Sequence, residues 1–300
     1  MRQPSYIVMQ CYGNTGVFYE CVYALLSLAR LYEAGGLDDT QIWIYTDNPS
    51  LFAQLTHCRL PLHIRKIDAL LIKQWRGQID FVHRVKIEVL LDFTKEREGN
   101  ILYLDTDIVF TQRIAYLWER LSDGLLLMHT MEGVIGGKAN PLFVKLAAHL
   151  NSHPALTTNL QKPLTMWNAG VLGLNTRHRH LLEEVLQFTD TFYPSFPKHI
   201  AEQFAFSLKF GEAGDIKIAA PYFIHYWNLK EAREVLGSFY NHFKHYGWDD
   251  MVRYSSLIQL PALMQDKVNF LANRTIAGKL LKEQWVPPVY DWEALKNGVL

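Results

Sequence analysis

No apolar stretch in this sequence approaches the roughly 18 uninterrupted residues that a membrane-spanning helix needs, although 49% of its 300 residues are apolar. That excludes a bundle of membrane spans and leaves enough apolar material for a large buried core. Cysteine is scarce: Cys11, Cys21 and Cys58 are odd in number and show no C-x-x-C spacing. The pattern argues against a disulfide framework or a zinc site and for reduced core thiols in a cytoplasmic protein. Charge of one sign is absent as well, with 30 Lys and Arg against 30 Asp and Glu, so no whole-chain field gathers nucleic acid or an anionic bilayer. Neither an internal repeat nor a low-complexity tract appears. One arginine and a soon-interrupted apolar run at the start read as a first strand rather than a signal peptide.

What is present is an alternation of strand and helix patterns. Tyr6 to Cys11 is a short apolar run closed by Tyr12-Gly13-Asn14, and an amphipathic stretch from Val17 to Tyr32 follows, ending at Gly35-Gly36. Gln41 to Thr46 and Leu62 to Ile67 are two more strands, Arg84 to Phe93 is helical, and Asn100 to Phe110 is the strongest strand signal. Leu125 to Met128 and Asn168 to Leu174 follow as strands, with an irregular Gly-, Asn- and His-rich stretch from Glu132 to Leu164 between them. His178 to Phe192 and His199 to Phe210 read as helices, Ile216 to Tyr226 as a strand pair broken at Pro221, and the remainder as helical and aromatic. This order predicts an α/β fold with a mostly parallel central sheet, flanking helices and a helical C-terminal region. We expect a main domain over residues 1–228 and an appendage over 229–300.

In such a sheet ligands sit beyond the carboxyl ends of the strands, which directs attention to Asp105-Thr106-Asp107 at the end of ILYL. Side chains two apart in an extended chain point the same way, so the two aspartates are expected to face one ligand and Thr106 the other side. Carboxylate oxygens suit Mg²⁺ or Mn²⁺, and a cation between two such charges relieves their repulsion. Farther on, Trp167-Asn168-Ala169-Gly170 places an amide and a glycine ahead of an apolar strand, where backbone can approach a sugar closely. Glu202-Gln203 and Ile224-His225-Tyr226 complete the polar set. The aromatics Tyr222, Phe223, Tyr226 and Trp227 read as core, with stacking on a pyranose as a secondary use.

The segments YLDTDIVF, WNAGVLGLN, EQFAFS and IHYWNLK, in this order, resemble the GT-A fold nucleotide-sugar transferases, most closely the retaining galactosyl- and glucosyltransferases of glycosyltransferase family 8. The resemblance implies a Rossmann-like domain that moves a hexose from a nucleotide-sugar, a UDP-sugar, to a glycan, lipid-linked or protein acceptor, with Mn²⁺ or Mg²⁺ as cofactor. It implies that Asp105, Asp107 and His225 hold the metal, Asp105 being shared with the donor ribose. Asn168 then binds the donor sugar or the acceptor, and Glu202-Gln203 stands beside the anomeric carbon where the family has Asp-Gln. Lys86 takes a basic donor-binding position and Lys230 neutralises the diphosphate. Tyr12, Asn14 and Thr106 join the donor-binding set.

Two other readings stay open. A sugar-phosphate nucleotidyltransferase would share sheet, metal and carboxylates, but it carries a basic glycine-rich first loop, and Tyr12-Gly13-Asn14-Thr15-Gly16 has no Lys or Arg. A non-catalytic nucleotide-sugar or glycan-binding protein of the same fold is the other. No nucleic-acid partner and no transmembrane segment is expected. Trp285 with Lys279, Lys282 and Leu280-Leu281 offers at most a weak peripheral membrane contact, in competition with a packed C-terminal helix.

Overall fold

Alternation in the first strand sets up two layers. Ile7, Met9 and Cys11 enter one hydrophobic cluster, whereas Tyr6 and Val8 enter another, as the twofold period of an extended chain requires. A computed structural model describes residues 3–32, 37, 39–55, 57–138, 140–156, 163–275, 278 and 281–298. The expected helix end at Gly35-Gly36, and Lys279 and Leu280 of the proposed membrane contact, lie outside these residues.

The chain runs β1 (Ser5–Cys11), α1 (Thr15–Leu31), β2 (Thr40–Thr46), α2 (Pro49–Ala53), β3 (Leu62–Lys66), α3 (Ala69–Trp75) and α4 (Arg84–Glu96). Then come β4 (Asn100–Leu104), β5 (Ile108–Phe110), α5 (Ala115–Ser122), β6 (Leu126–Met128), β7 (Met131–Val134), α6 (Pro141–Ser152), β8 (Thr165–Trp167) and β9 (Val171–Asn175). The last part holds α7 (Arg179–Phe192), α8 (Ala201–Ala213), β10 (Ile216–Ile218), β11 (Phe223–His225), α9 (Ala232–Phe243), α10 (Trp248–Tyr254), α11 (Leu260–Asn273) and α12 (Trp292–Asn297). The central sheet has seven strands in the order β10-β6-β9-β4-β1-β2-β3. All its pairings are parallel except those of β9, which runs against β4 and β6. The α/β architecture with a mostly parallel sheet, flanking helices and a helical C-terminal region is therefore as expected.

Helices cover both faces. On one, α1 packs with α9 and α10, α12 sets Trp292 against Phe239 and Phe243 of α9, and these side chains share one core with Phe18, Leu25, Ile7 and Ile44. On the other, α4, α7 and α8 bury Val85, Phe93, Leu182 and Phe206 against Val8 and Tyr103. A third cluster under α6 gathers Phe143, Leu146, Phe192 and Phe204. Each such large side chain contributes roughly 1.5–3 kcal/mol on burial.

Four local readings change. The single strand expected over Asn100–Phe110 is two: β4 stops at Leu104, the chain turns at Asp105 to Asp107, and β5 leaves to pair with β11 in a separate ribbon. Likewise β10 and β11 are not partners, because β10 joins β6 in the main sheet. The stretch Glu132–Leu164, read as irregular, contains most of β7 and the whole of α6, whose start is fixed by Pro141 after the capping side chain of Asn140. Trp285 is buried in the core, but in a segment with no helix, and Leu281 is exposed. No described helix is long and apolar enough to cross a membrane.

Candidate metal and donor site

Two strand pairings bring the polar residues together. The β5–β11 ribbon sets His225 opposite Ile108, and Tyr226 N–H donates to the Asp107 carbonyl at 3.1 Å. A histidine 118 residues downstream of Asp107 is thus delivered to it, Nε2 to Oδ1 at 3.0 Å. The β4–β9 pairing continues one step past the strands through Asp105 N–H to Gly170 carbonyl at 2.9 Å, which places Asn168 and Gly170 beside the same turn. Ligand atoms of Asp105, Asp107 and His225 all lie within 4.8 Å of one another. Two hard carboxylates and an imidazole nitrogen at that separation fit Mn²⁺ or Mg²⁺.

Each aspartate has its own lysine. Lys230 donates to Asp107 Oδ2 at 2.8 Å with its side chain 54% exposed. Lys86, on α4, is buried among Asp105 Oδ1 at 3.2 Å, Glu202 Oε1 at 3.2 Å and the Ala169 carbonyl at 3.0 Å. Burial pushes the Asp107 carboxyl up, but the His225 hydrogen bond and the charges of His225 and Lys230 outweigh it and hold the group well below the usual carboxylate range. Burial also disfavours the Lys86 ammonium, and Asp105 and Glu202 more than reverse this, so it sits above its ordinary value. Glu202 is pushed up to about 7 by burial against the opposing charge of Lys86. Its Oε1 has no partner in hydrogen-bond geometry, since Lys86 approaches it as an ion pair only.

The other sequence-selected residues divide. Gln203 reaches the site, donating to Glu132 Oε2 at 2.8 Å. Thr106 does not face it: its hydroxyl contacts buried Glu20 at 3.3 Å, beneath the turn. The alternation argument fails in its detail, because Asp105 to Asp107 form a turn rather than an extended strand, yet both aspartates converge and Thr106 points away. Asn14 spends its side-chain carbonyl on the first turn of α1, accepting from Val17 N–H at 3.2 Å. Asn168 is buried, and its carbonyl accepts from Gly170 N–H at 3.0 Å and lies 2.8 Å from His225 Nδ1. The close backbone approach expected at Gly170 is made by the imidazole of His225, not by open space for a sugar: a Cβ there would stand 2.2 Å from His225 Cε1.

Several residues escaped sequence reasoning. Glu132 on β7 joins Asn168 to Gln203. His129, at the end of β6, sets its ring edge-on to His225 with centroids 5.5 Å apart. Glu20 supports the Asp105–Asp107 turn through Thr106 and is clamped by Arg233 Nε at 2.8 Å. Of these only Glu20 left a signal, an acidic residue inside the apolar face of α1. Asp47, closing β2, accepts from Gly13 N–H at 3.1 Å and so supplies a carboxylate to the first loop. There Cys11, Tyr12, Asn14, Thr46 and Asp47 help line a cleft of about 230 Å³ at the carboxyl ends of β1 and β2. Tyr12 is partly buried, which pushes its phenol up to about 12.

Solved structures similar to this chain include the galactosyltransferase LgtC in complex with donor and acceptor sugar analogs, 14% identical over 68% of this chain and 70% of that one, with a TM-score of 0.46. Mouse xyloside xylosyltransferase 1 is 12% identical over 72% of this chain and 84% of that one, at 0.47. The glycosyltransferase GlyE of Streptococcus pneumoniae is 14% identical over 84% of this chain and 62% of that one, at 0.49. No protein-family model and no curated protein matches the sequence.

Proposed function

We propose that this chain is a metal-dependent glycosyltransferase that moves a hexose from a nucleotide-sugar, a UDP-sugar by its motif resemblance, to an acceptor with retention of anomeric configuration. The observation that carries the reading is the convergence of Asp105, Asp107 and His225 within 4.8 Å, at the carboxyl end of the central strand β4. The donor cleft lies at the ends of the adjoining β1 and β2. Asp105, Asp107 and His225 would hold the divalent cation, which supplies positive charge to the diphosphate as the sugar departs. Lys230, half in solvent and hydrogen-bonded to Asp107, is the side chain able to swing onto that diphosphate and share its charge. Glu202 is a buried carboxyl whose Oε1 meets only the ammonium of Lys86, at 3.2 Å, and is suited to stabilising positive charge on the sugar once ionised. Gln203, tied to Glu132, offers its remaining amide capacity to sugar hydroxyls.

The nucleotidyltransferase reading gains a basic group at the first loop, because Arg233 packs against Gly16. Both guanidinium contacts of Arg233 are committed to Glu20, however, at 2.8 and 3.0 Å. The test is thermal unfolding with UDP, MnCl₂ and the two together. The pair is expected to stabilise by roughly 2.7 kcal/mol at about a hundred times its dissociation constant, a shift of several degrees, while either alone does much less. Absence of a shift with any nucleoside diphosphate and metal would overturn the donor site. Mn²⁺-dependent hydrolysis of a UDP-sugar separates the enzyme from a non-catalytic binder.

A further inference from the structure

Only one nitrogen of His225 can ligate a cation, and the other decides which. Nε2 lies 3.0 Å from Asp107 Oδ1, and Nδ1 lies 2.8 Å from Asn168 Oδ1. Whether Nδ1 donates or accepts depends on which end of the Asn168 carboxamide faces it. Two neighbours of unalterable polarity settle that. The backbone N–H of Gly170 reaches Asn168 Oδ1 at 3.0 Å, and only an acceptor can stand there. Glu132 Oε1 lies 2.8 Å from Asn168 Nδ2, and a carboxylate oxygen needs a donor. Turning the amide over would set NH₂ against N–H on one side and carbonyl against carboxylate on the other. Asn168 Oδ1 is therefore an acceptor by construction, and the imidazole must present N–H to it.

We propose that Asn168 and Glu132 are positioning residues that keep a proton on His225 Nδ1, so that Nε2, which meets Asp107 Oδ1 at 3.0 Å, is the nitrogen turned to the cation. Asn168 then serves the metal ligand rather than the sugar, and its burial agrees: both acceptor directions of its carbonyl are filled inside the protein. Outer partners of a ligating histidine orient the ring in this way. Glu132 adds a second connection. Its other oxygen accepts from Gln203 Nε2 at 2.8 Å, so one carboxylate sets the metal ligand in register with the start of α8, which also carries Glu202. The ring has little freedom to escape, since His129 stands at right angles to it and a Cβ on Gly170 would already lie 2.2 Å from its Cε1. This inference takes its purpose from the metal assignment above, but the hydrogen-bond geometry on which it stands does not depend on that assignment.

The test is a long-range ¹H–¹⁵N correlation spectrum of protein labelled at histidine, with the His225 signals identified from His225→Gln. It is recorded without metal and with Mg²⁺ and UDP, a diamagnetic pair. Nδ1 should carry its proton under both conditions, and Nε2 should respond to Mg²⁺. Asn168→Leu, close in size, should remove the acceptor that fixes the Nδ1 proton and weaken Mn²⁺ binding in the presence of UDP by about 10- to 100-fold. Glu132→Gln keeps an oxygen for Asn168 and should retain the native tautomer. A proton-free Nδ1 in the native protein overturns the proposal, and that spectrum decides the matter even where a variant does not fold. Nδ1–H with no response to metal leaves the tautomer assignment standing and overturns the metal reading instead.

Discussion

Replacing Gly170 with alanine adds one methyl group at the point where the main chain meets the ring of His225. The new Cβ would lie 2.2 Å from Cε1, 2.4 Å from Nδ1 and 2.8 Å from Nε2, against the 3.4–4 Å of ordinary contact. The imidazole has to retreat by more than an ångström. It is not the loose end of a flexible chain: Asn168 and Asp107 hold its two nitrogens, and His129 closes off one side. Backbone strain plays no part, because Gly170 does not occupy the left-handed region. Overpacking of this kind costs about 1–3 kcal/mol, which in a chain of this length is a few degrees of melting temperature. Metal ligands tolerate displacements of only about 0.2 Å, so Mn²⁺ affinity in the presence of UDP should drop at least as far as the roughly 10- to 100-fold typical of losing an outer partner.

The assay is calorimetric Mn²⁺ titration with UDP, alongside thermal unfolding, on four proteins forming a cycle with His225→Ala. Removing the ring makes room for the methyl group, so Gly170→Ala should cost little stability in the His225→Ala background and much in the native one, a coupling that independent sites do not show. Gly173→Ala is the control. A Cβ there meets Leu127 at 2.8 Å, an apolar clash that should lower stability without touching metal affinity. Equal stability costs in both backgrounds, or native Mn²⁺ affinity in Gly170→Ala, would refute the claim that the glycine exists to admit the metal ligand.

Two further outcomes follow from the charges. Asp107 is held below the usual carboxylate range, so its stabilisation is present above the ordinary value near 4 and is lost as pH falls through the lower folded value. Asp107→Asn should accordingly lower metal-free stability at neutral pH, by about 1–3 kcal/mol, and abolish metal-dependent turnover; a melting temperature equal to or above native would show that Lys230 and His225 do not stabilise the charge. Glu202 has the opposite sign: with its folded value raised from 4.5 to about 7, it favours the folded state most below 4.5 and loses that advantage as pH rises to 7. The melting temperature of Glu202→Gln relative to native should therefore climb between pH 5 and pH 8, and a difference flat across that range would remove the raised carboxyl facing Lys86 and Asp105.

The sequence disclosed those parts of the molecule that a local period encodes. The strands β1 and β2 and the helices α1, α4 and α7 were legible because their apolar positions repeat at the spacing of a buried face. The division of Asn100–Phe110 was not, since Ile108-Val109-Phe110 continues the apolar pattern and only the polar triplet between marks the turn. Helix α6 did carry its signature in Asn140-Pro141 followed by Leu142, Phe143, Leu146 and Leu150, but glycines before it and the polar Asn151-Ser152-His153 at its end masked the pattern. Of the site, Asp105, Asp107 and His225 were found through ordered motifs. Glu132 was invisible because a single acid on an exposed edge ribbon resembles any solvated charge. The repulsion inferred between the aspartates was also incomplete, as it counted the pair without Lys86 and Lys230, which arrive from distant elements.

The turn that carries Asp105 and Asp107 also needs support from below, and the source of that support bears on how the chain is organised. Thr106 faces inward onto Glu20, a carboxyl 1% exposed on α1. Burial pushes Glu20 up in spite of its pairing with Arg233, so the charge under the turn depends on that guanidinium. Arg233 stands on α9, three residues beyond Lys230, and α9 buries Phe239 and Phe243 in the core that holds α1 and β1. Removing one partner of such a buried pair typically costs about 3–5 kcal/mol, since the other is left uncompensated. The segment after β11 therefore completes the site twice, with the exposed lysine that meets Asp107 from above and the arginine that neutralises Glu20 below. Through Thr106 and Glu20, the turn that carries Asp105 and Asp107 rests on a residue of α9.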